Sequence, residues 1–156
     1  MAEIHKHIDN DHVISVLEKL VQLCRDGQEG YRDAAEHVKS PELRNIFNQV
    51  STTRAEFAGE LENEVIRLGK HDPDRNATTA GALHRKWIDL KSAMGAGDHS
   101  LLSSIESGED SAKKAYEDAL NDNLPQDIKD ILRRQSQEVI STHDRIRALR
   151  DQTKAA

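Results

Sequence analysis

The chain is poor in the residues that staple or punctuate a fold. It has one cysteine, Cys24, three prolines and only 3% aromatic residues. A lone cysteine excludes an internal disulfide and fits a reducing compartment. No run approaches the roughly 20 apolar residues of a membrane span. The opening MAEIHKHIDNDH holds no apolar stretch of the kind a secretory leader needs. A basic excess is also missing. The formal charge of −6 argues against a nucleic-acid partner, because neutralising phosphates takes a basic face. No Gly-rich phosphate loop, nucleophile elbow or Cys-rich zinc pattern occurs. The expectation is a cytoplasmic protein with no membrane and no nucleic acid as partner.

What is there in quantity is charge, at 32%, interleaved with 36% hydrophobic residues over 156 positions. That profile suits one domain of long amphipathic helices. Over 11–38 the apolar stripe runs Val13, Leu17, Leu20, Cys24, Tyr31, Ala34 or Ala35, and Val38. Ser40-Pro41 then stops one helix and starts the next, with Ser40 and Leu43 fitting a cap followed by an apolar start. The second helix, 41–69, carries Leu43, Ile46, Phe47, Val50, Phe57, Leu61, Val65 and Leu68, and Gly69 has the place of a C-terminal cap. After the loop KHDPDRNATT, a shorter helix over 78–94 presents Leu83, Trp87, Leu90 and Met94. GAGD breaks it at 95–98. Helices over 98–121 and 126–152 follow, with Pro125 placed in a first turn.

The expected fold is all-α: a four-helix bundle of two helical hairpins, with a helical crossover between its second and third long helices. A five-helix up-down bundle is the alternative. Residues 1–10 are expected to be a flexible N-terminus, 11–152 the single domain and 153–156 a frayed tail.

Polar residues on the inward stripes are the informative ones, since ionised groups are costly to bury unless paired or bound to metal. Glu109 lies four residues after Ile105 and three before Ala112, where a core residue belongs. A rise of about 1.5 Å per residue puts Glu109, His143, Thr53 and Arg54 at similar depth, with Tyr31 and Gln28 nearby. The same arithmetic displaces Glu60 by about 10 Å or more.

Two readings of that layer stand side by side. In one, Glu109 and His143 are metal ligands on facing helices, with Glu56 or Glu29 as further donors for iron, manganese or zinc. In the other, Arg54 neutralises Glu109, and His143, Tyr31, Thr53 and Gln135 complete a buried polar network with no cofactor. The second is preferred, because a planar guanidinium satisfies a carboxylate and repels a metal ion.

Gly27 and Gly30 bear on the same question, each costing about 1 kcal/mol relative to alanine inside a helix. Room for a large neighbour such as Trp87 or Tyr116 is one reason for them. A kink that turns Glu29 inward is the other. Elsewhere, His5, His7 and His12 form an N-terminal patch, and His84 sits beside Trp87 and Ile88. Arg145, Arg147 and Arg150 suit the negative end of a helix dipole. Cys24 is expected to act as a small buried hydrophobe.

The ordered segments DGQEGYRDAAEHV (26–38), RAEFAGEL (54–61), GALHRKWIDLK (81–91), SGEDSAKKAYEDAL (107–120) and THDRIRALRD (142–151) carry a family resemblance. From about residue 12 to 151 the chain resembles the bacterial family of ferritin-like four-helix-bundle proteins that has only a domain-of-unknown-function label. The resemblance implies a ferritin-like bundle and no particular reaction. Di-iron bundles of that fold use a Glu on each of two helices and a Glu-x-x-His on each of the others. Here Glu109 keeps such a position, seven residues before Tyr116, but the place seven before Tyr31 is Cys24. Glu56 is followed three residues on by Gly59, Gln135 by Glu138, and His143 lies five after Glu138. A full ferroxidase centre is therefore not expected. The functional expectation is a non-catalytic structural or interaction module, with a stress association by analogy to related ferritin-like families. The alternative is a protein with a degenerate metal site at Glu109 and His143. Long flat faces make a homodimer an expected assembly, although no apolar stripe singles out its interface.

Overall fold

The computed structural model describes residues 8–70 and 95–154. Among them are four α-helices and no strand: α1 Asn10–His37, α2 Pro41–Arg67, α3 Asp98–Leu120 and α4 Gln126–Lys154. The expected helix over 78–94 and His5, His7, His84 and Trp87 lie outside the described residues.

Local chemistry sets the helix ends. Ser40 caps α2, its hydroxyl accepting from Leu43 N at 3.2 Å, and Pro41 takes the first position, where a missing N–H costs nothing. At the far end Gly69 adopts φ +109°, which L-residues avoid. Gly69 N then donates to Ile66 O at 2.9 Å and Lys70 N to Val65 O at 3.2 Å, satisfying carbonyls that the helix end would otherwise leave open. Pro125 stands just before α4 rather than in its first turn; its carbonyl accepts the first helical bond, from Lys129 N at 3.0 Å.

Contacts at the two ends fix the directions. The Asp98 carboxylate accepts from Lys39 N at 3.0 Å and Ser40 N at 3.3 Å, so α3 begins beside the α1–α2 turn. His99 Nδ1 lies 3.2 Å from Arg150 O, placing the end of α4 there too. At the opposite end, Arg67 reaches Asp127 at 2.7 Å and His12 reaches Asp122 at 2.8 Å. Thus α1 and α4 run one way, α2 and α3 the other. α2 finishes at the end of the bundle opposite the start of α3, a relation that the crossover needs and that a five-helix up-down bundle shares.

α1 packs closely on α2 and α3 on α4; α1 also meets α3, and α2 meets α4. The backbones of the diagonal helices α2 and α3 do not come close to each other. The apolar core is in two clusters. One gathers Leu17, Leu20, Leu61, Ile128 and Leu132 with their neighbours, the other Tyr31, Phe47, Leu101, Leu102 and Ile146. Arg54, Glu109, Gln135 and His143 are buried but belong to neither. Among the described residues no helix is long and apolar enough to cross a membrane.

Candidate functional site

The polar layer is built around one ion pair. Arg54 Nη2 donates to Glu109 Oε2 at 2.6 Å, with 2% and 0% of the two side chains exposed. Arg54 comes from α2 and Glu109 from α3, so the pair crosses the bundle on its diagonal. Only a long side chain spans that distance. The guanidinium carbon also lies 5.7 Å from the centre of the Tyr31 ring, a cation–π contact. Burial, the largest single influence, works against the Arg54 charge, but the Glu109 charge and hydrogen bond, with Tyr31 and Cys24, together outweigh it, and the guanidinium holds its proton more tightly than an ordinary arginine. Burial and then the Glu109 charge push the Tyr31 phenol well above its usual range.

The position of Gly27 follows from this pair. A Cβ there would lie 3.3 Å from Arg54 Nη1 and 3.6 Å from Arg54 Cγ. Among the described residues the large neighbour that the glycine accommodates is Arg54 rather than Tyr116, and Trp87 lies outside them. α1 continues through Gly27 and Gly30, and Glu29 is exposed, so it does not turn inward.

A second polar chain joins all four helices. Gln135 Nε2 faces two acceptors, Glu60 Oε1 at 2.8 Å and Phe57 O at 3.5 Å, which fixes the amide orientation. Gln135 Oε1 therefore accepts from the Tyr116 hydroxyl at 2.7 Å. Since that hydroxyl has given its proton to Gln135, the Cys24 thiol, 3.3 Å away, is the donor to Tyr116. Glu60 is bound in turn by Arg134 at the surface. Gln135 and Glu60 thus belong to this second chain, in which neither bonds to Arg54 or Glu109. Burial raises the Cys24 thiol to about 11 and the Tyr116 phenol well above its usual range.

His143 is fully buried but belongs to a different cluster. Its Nε2 lies 2.6 Å from Asp110 Oδ1 and 3.9 Å from Glu106 Oε2, and its Nδ1 lies 3.1 Å from Asp144 Oδ1. Glu106 is clamped by Arg147 Nε at 3.0 Å and by Arg150. The sequence reading put His143 with Glu109; the helix turn instead gives it Asp110, one residue further on, and Glu106, three residues before. The pattern was visible: Glu106 and Asp110 are four apart on α3, facing His143, Arg147 and Arg150 at helical spacing on α4.

Other expected members fall outside the layer. Thr53 is half-buried and donates to Gln49 O of its own helix at 3.1 Å, away from Glu109. Glu56 is exposed, as Glu29 is. Among the described residues no group of three or more His, Cys, Asp and Glu side chains is placed to hold a metal ion, so Glu109, His143, Glu56 and Glu29 are not brought together. His12 is engaged at the surface by Asp122. A half-buried pair that the periodicity did not reveal is Arg25–Glu62, at 2.6 Å between α1 and α2.

Chemically the layer is quiet. Its thiol and its phenols hold their protons, and the Glu109 carboxylate is matched by a guanidinium.

The family described as "Domain of unknown function (DUF2383)" matches residues 12–122, which span α1, α2 and α3. That is well over half of the chain, and the chain belongs to this family. No curated protein matches it.

Proposed function

We propose that this member of the family is a non-catalytic, ferritin-like helical bundle of the bacterial cytoplasm. In this reading it is an interaction or stress-associated module in which an arginine stands where di-iron bundles hold metal. The observation that carries this is the Arg54–Glu109 pair, 2.6 Å apart, buried, and set across the bundle between diagonal helices. A carboxylate already held by a guanidinium has its charge met, and the adjacent cation repels a second one. The parallel α2 and α3, with their ends at opposite poles, suit a long ferritin-type connection. The stress association rests on analogy with ferritin-like families, and a homodimer or a protein partner is proposed from the long helical faces.

Titration of protein purified without chelator with iron, manganese and zinc, alongside its oligomeric mass, tests the reading. No binding above background is expected, with no difference between the wild type and Glu109→Ala. A stoichiometric metal that Glu109→Ala abolishes overturns it in favour of the degenerate metal site.

A further inference from the structure

The seam between α2 and α4 contains a cleft of about 140 Å³. Its cause is visible in the side chains that line it. Val50 and Thr53 of α2 and Ser141 and Thr142 of α4 are all short, where antiparallel helices would need larger residues to close the gap. The buried Ile46 and Ile146 give it an apolar base beside Val50. Glu138 and Arg145 line it as well, seven residues apart on α4, two turns or about 10.5 Å. Among the described residues neither takes part in an ion pair. The cleft thus combines apolar residues, hydroxyls from both helices, and two side chains of opposite charge two helical turns apart on α4.

We propose that this cleft binds a short zwitterion, with a carboxylate and an ammonium separated by a few methylene groups. Size sets the first limit: a cavity of about 150 Å³ takes a molecule of about six heavy atoms. The planar guanidinium of Arg145 receives the carboxylate through paired N–H donors. Glu138 accepts from the ammonium. The Thr53 hydroxyl gives its proton to Gln49 O at 3.1 Å and keeps lone pairs for a second ammonium hydrogen. The methylenes lie on Ile46, Val50 and Ile146. An α-amino acid such as glycine, whose charges are adjacent, reaches only one end of the cleft.

The test uses the full, ¹⁵N-labelled chain and five probes: 4-aminobutyrate, β-alanine, glycine, butyrate and butylammonium. Saturable shifts are expected at Thr53, Ser141, Thr142 and the Arg145 side chain. 4-Aminobutyrate should bind about tenfold more tightly than butyrate or butylammonium, as one charged hydrogen bond is worth at least that factor. Glu138→Gln and Arg145→Gln should each weaken it about tenfold. Both replaced side chains are exposed, and unchanged circular dichroism verifies the fold. The proposal is overturned by the absence of saturable shifts up to about 20 mM, by butyrate binding as well as 4-aminobutyrate, or by shifts that survive Arg145→Gln.

Discussion

Gly27 of α1 and Arg54 of α2 are in direct steric register: the hydrogen that glycine carries in place of a side chain leaves the corridor through which the guanidinium reaches Glu109. A Cβ at that position would meet Arg54 Nη1 at 3.3 Å, tighter than ordinary van der Waals contact. The glycine costs helix propensity, about 1 kcal/mol relative to alanine. That cost is offset by what the corridor permits, a buried cation matched to a buried anion across the bundle diagonal.

Filling the corridor should therefore damage the fold only while Arg54 is present. Gly27→Leu is expected to destabilise by about 1–3 kcal/mol through overpacking. In an Arg54→Met background, whose side chain is shorter and uncharged, the same change should cost measurably less. Urea unfolding of the four proteins gives the coupling directly. Equal costs in both backgrounds would show that Gly27 serves some other purpose.

The ion pair itself makes an asymmetric prediction. Arg54→Met alone strands the Glu109 carboxylate in the core, and Glu109→Leu alone strands the guanidinium; each should cost about 3–5 kcal/mol. The double replacement should recover most of that loss, because it leaves no unpaired charge and returns apolar contacts to the gap between the two clusters. Additive losses in chemical denaturation would mean that the pair contributes more than mutual neutralisation.

Helices were legible in this chain because the apolar stripe repeats at helical period and the breaks fall at Ser40-Pro41, Gly69, GAGD and Pro125. The capped starts and the left-handed Gly69 follow from chemistry local to a few residues. The partners of inward polar residues were less legible. A height estimate along a bundle carries no information about azimuth, so it grouped Thr53 and His143 with Glu109 although both side chains turn elsewhere. The Arg54–Glu109 pairing was readable because a buried carboxylate on one stripe demands a cation, and Arg54 was the cation at that level on another stripe. Glu60, set apart by helix rise, belongs with Gln135, Tyr116 and Cys24 in a separate chain, and Gln135, expected in the network around Glu109, goes with it.

Gln135 depends on its neighbours in a way that can be measured. Tyr116→Phe removes the donor to Gln135 Oε1 and the acceptor for Cys24, leaving buried polar groups unmatched. A loss of about 1–3 kcal/mol is expected. With Gln135→Leu already in place, Tyr116→Phe should cost clearly less, since the amide oxygen no longer needs a donor. If the two changes add without interaction in a thermal or urea series, the chain from Cys24 to Glu60 is not energetically connected.

Cys24 gives the layer a pH signature. Burial first of all raises its thiol from the ordinary 9.0 to about 11. Below the lower value both folded and unfolded chains keep the proton. Between the two, the unfolded chain has lost it and the folded chain has not, so stability falls as pH rises, by roughly 1 kcal/mol per unit. The Tyr31 and Tyr116 phenols, also raised, steepen the fall at still higher pH. Cys24→Ala should begin less stable, by about 1 kcal/mol for a small core truncation and a lost hydrogen bond, yet show a flatter profile between pH 9 and 10. Alkylation of the wild-type thiol by iodoacetamide at pH 8 should follow the same logic. With the sulfur buried and protonated, its rate should track the opening of the bundle and rise steeply with urea. Rapid labelling of the folded chain, independent of urea, would place Cys24 in contact with solvent and break the hydrogen-bonded chain that starts from it.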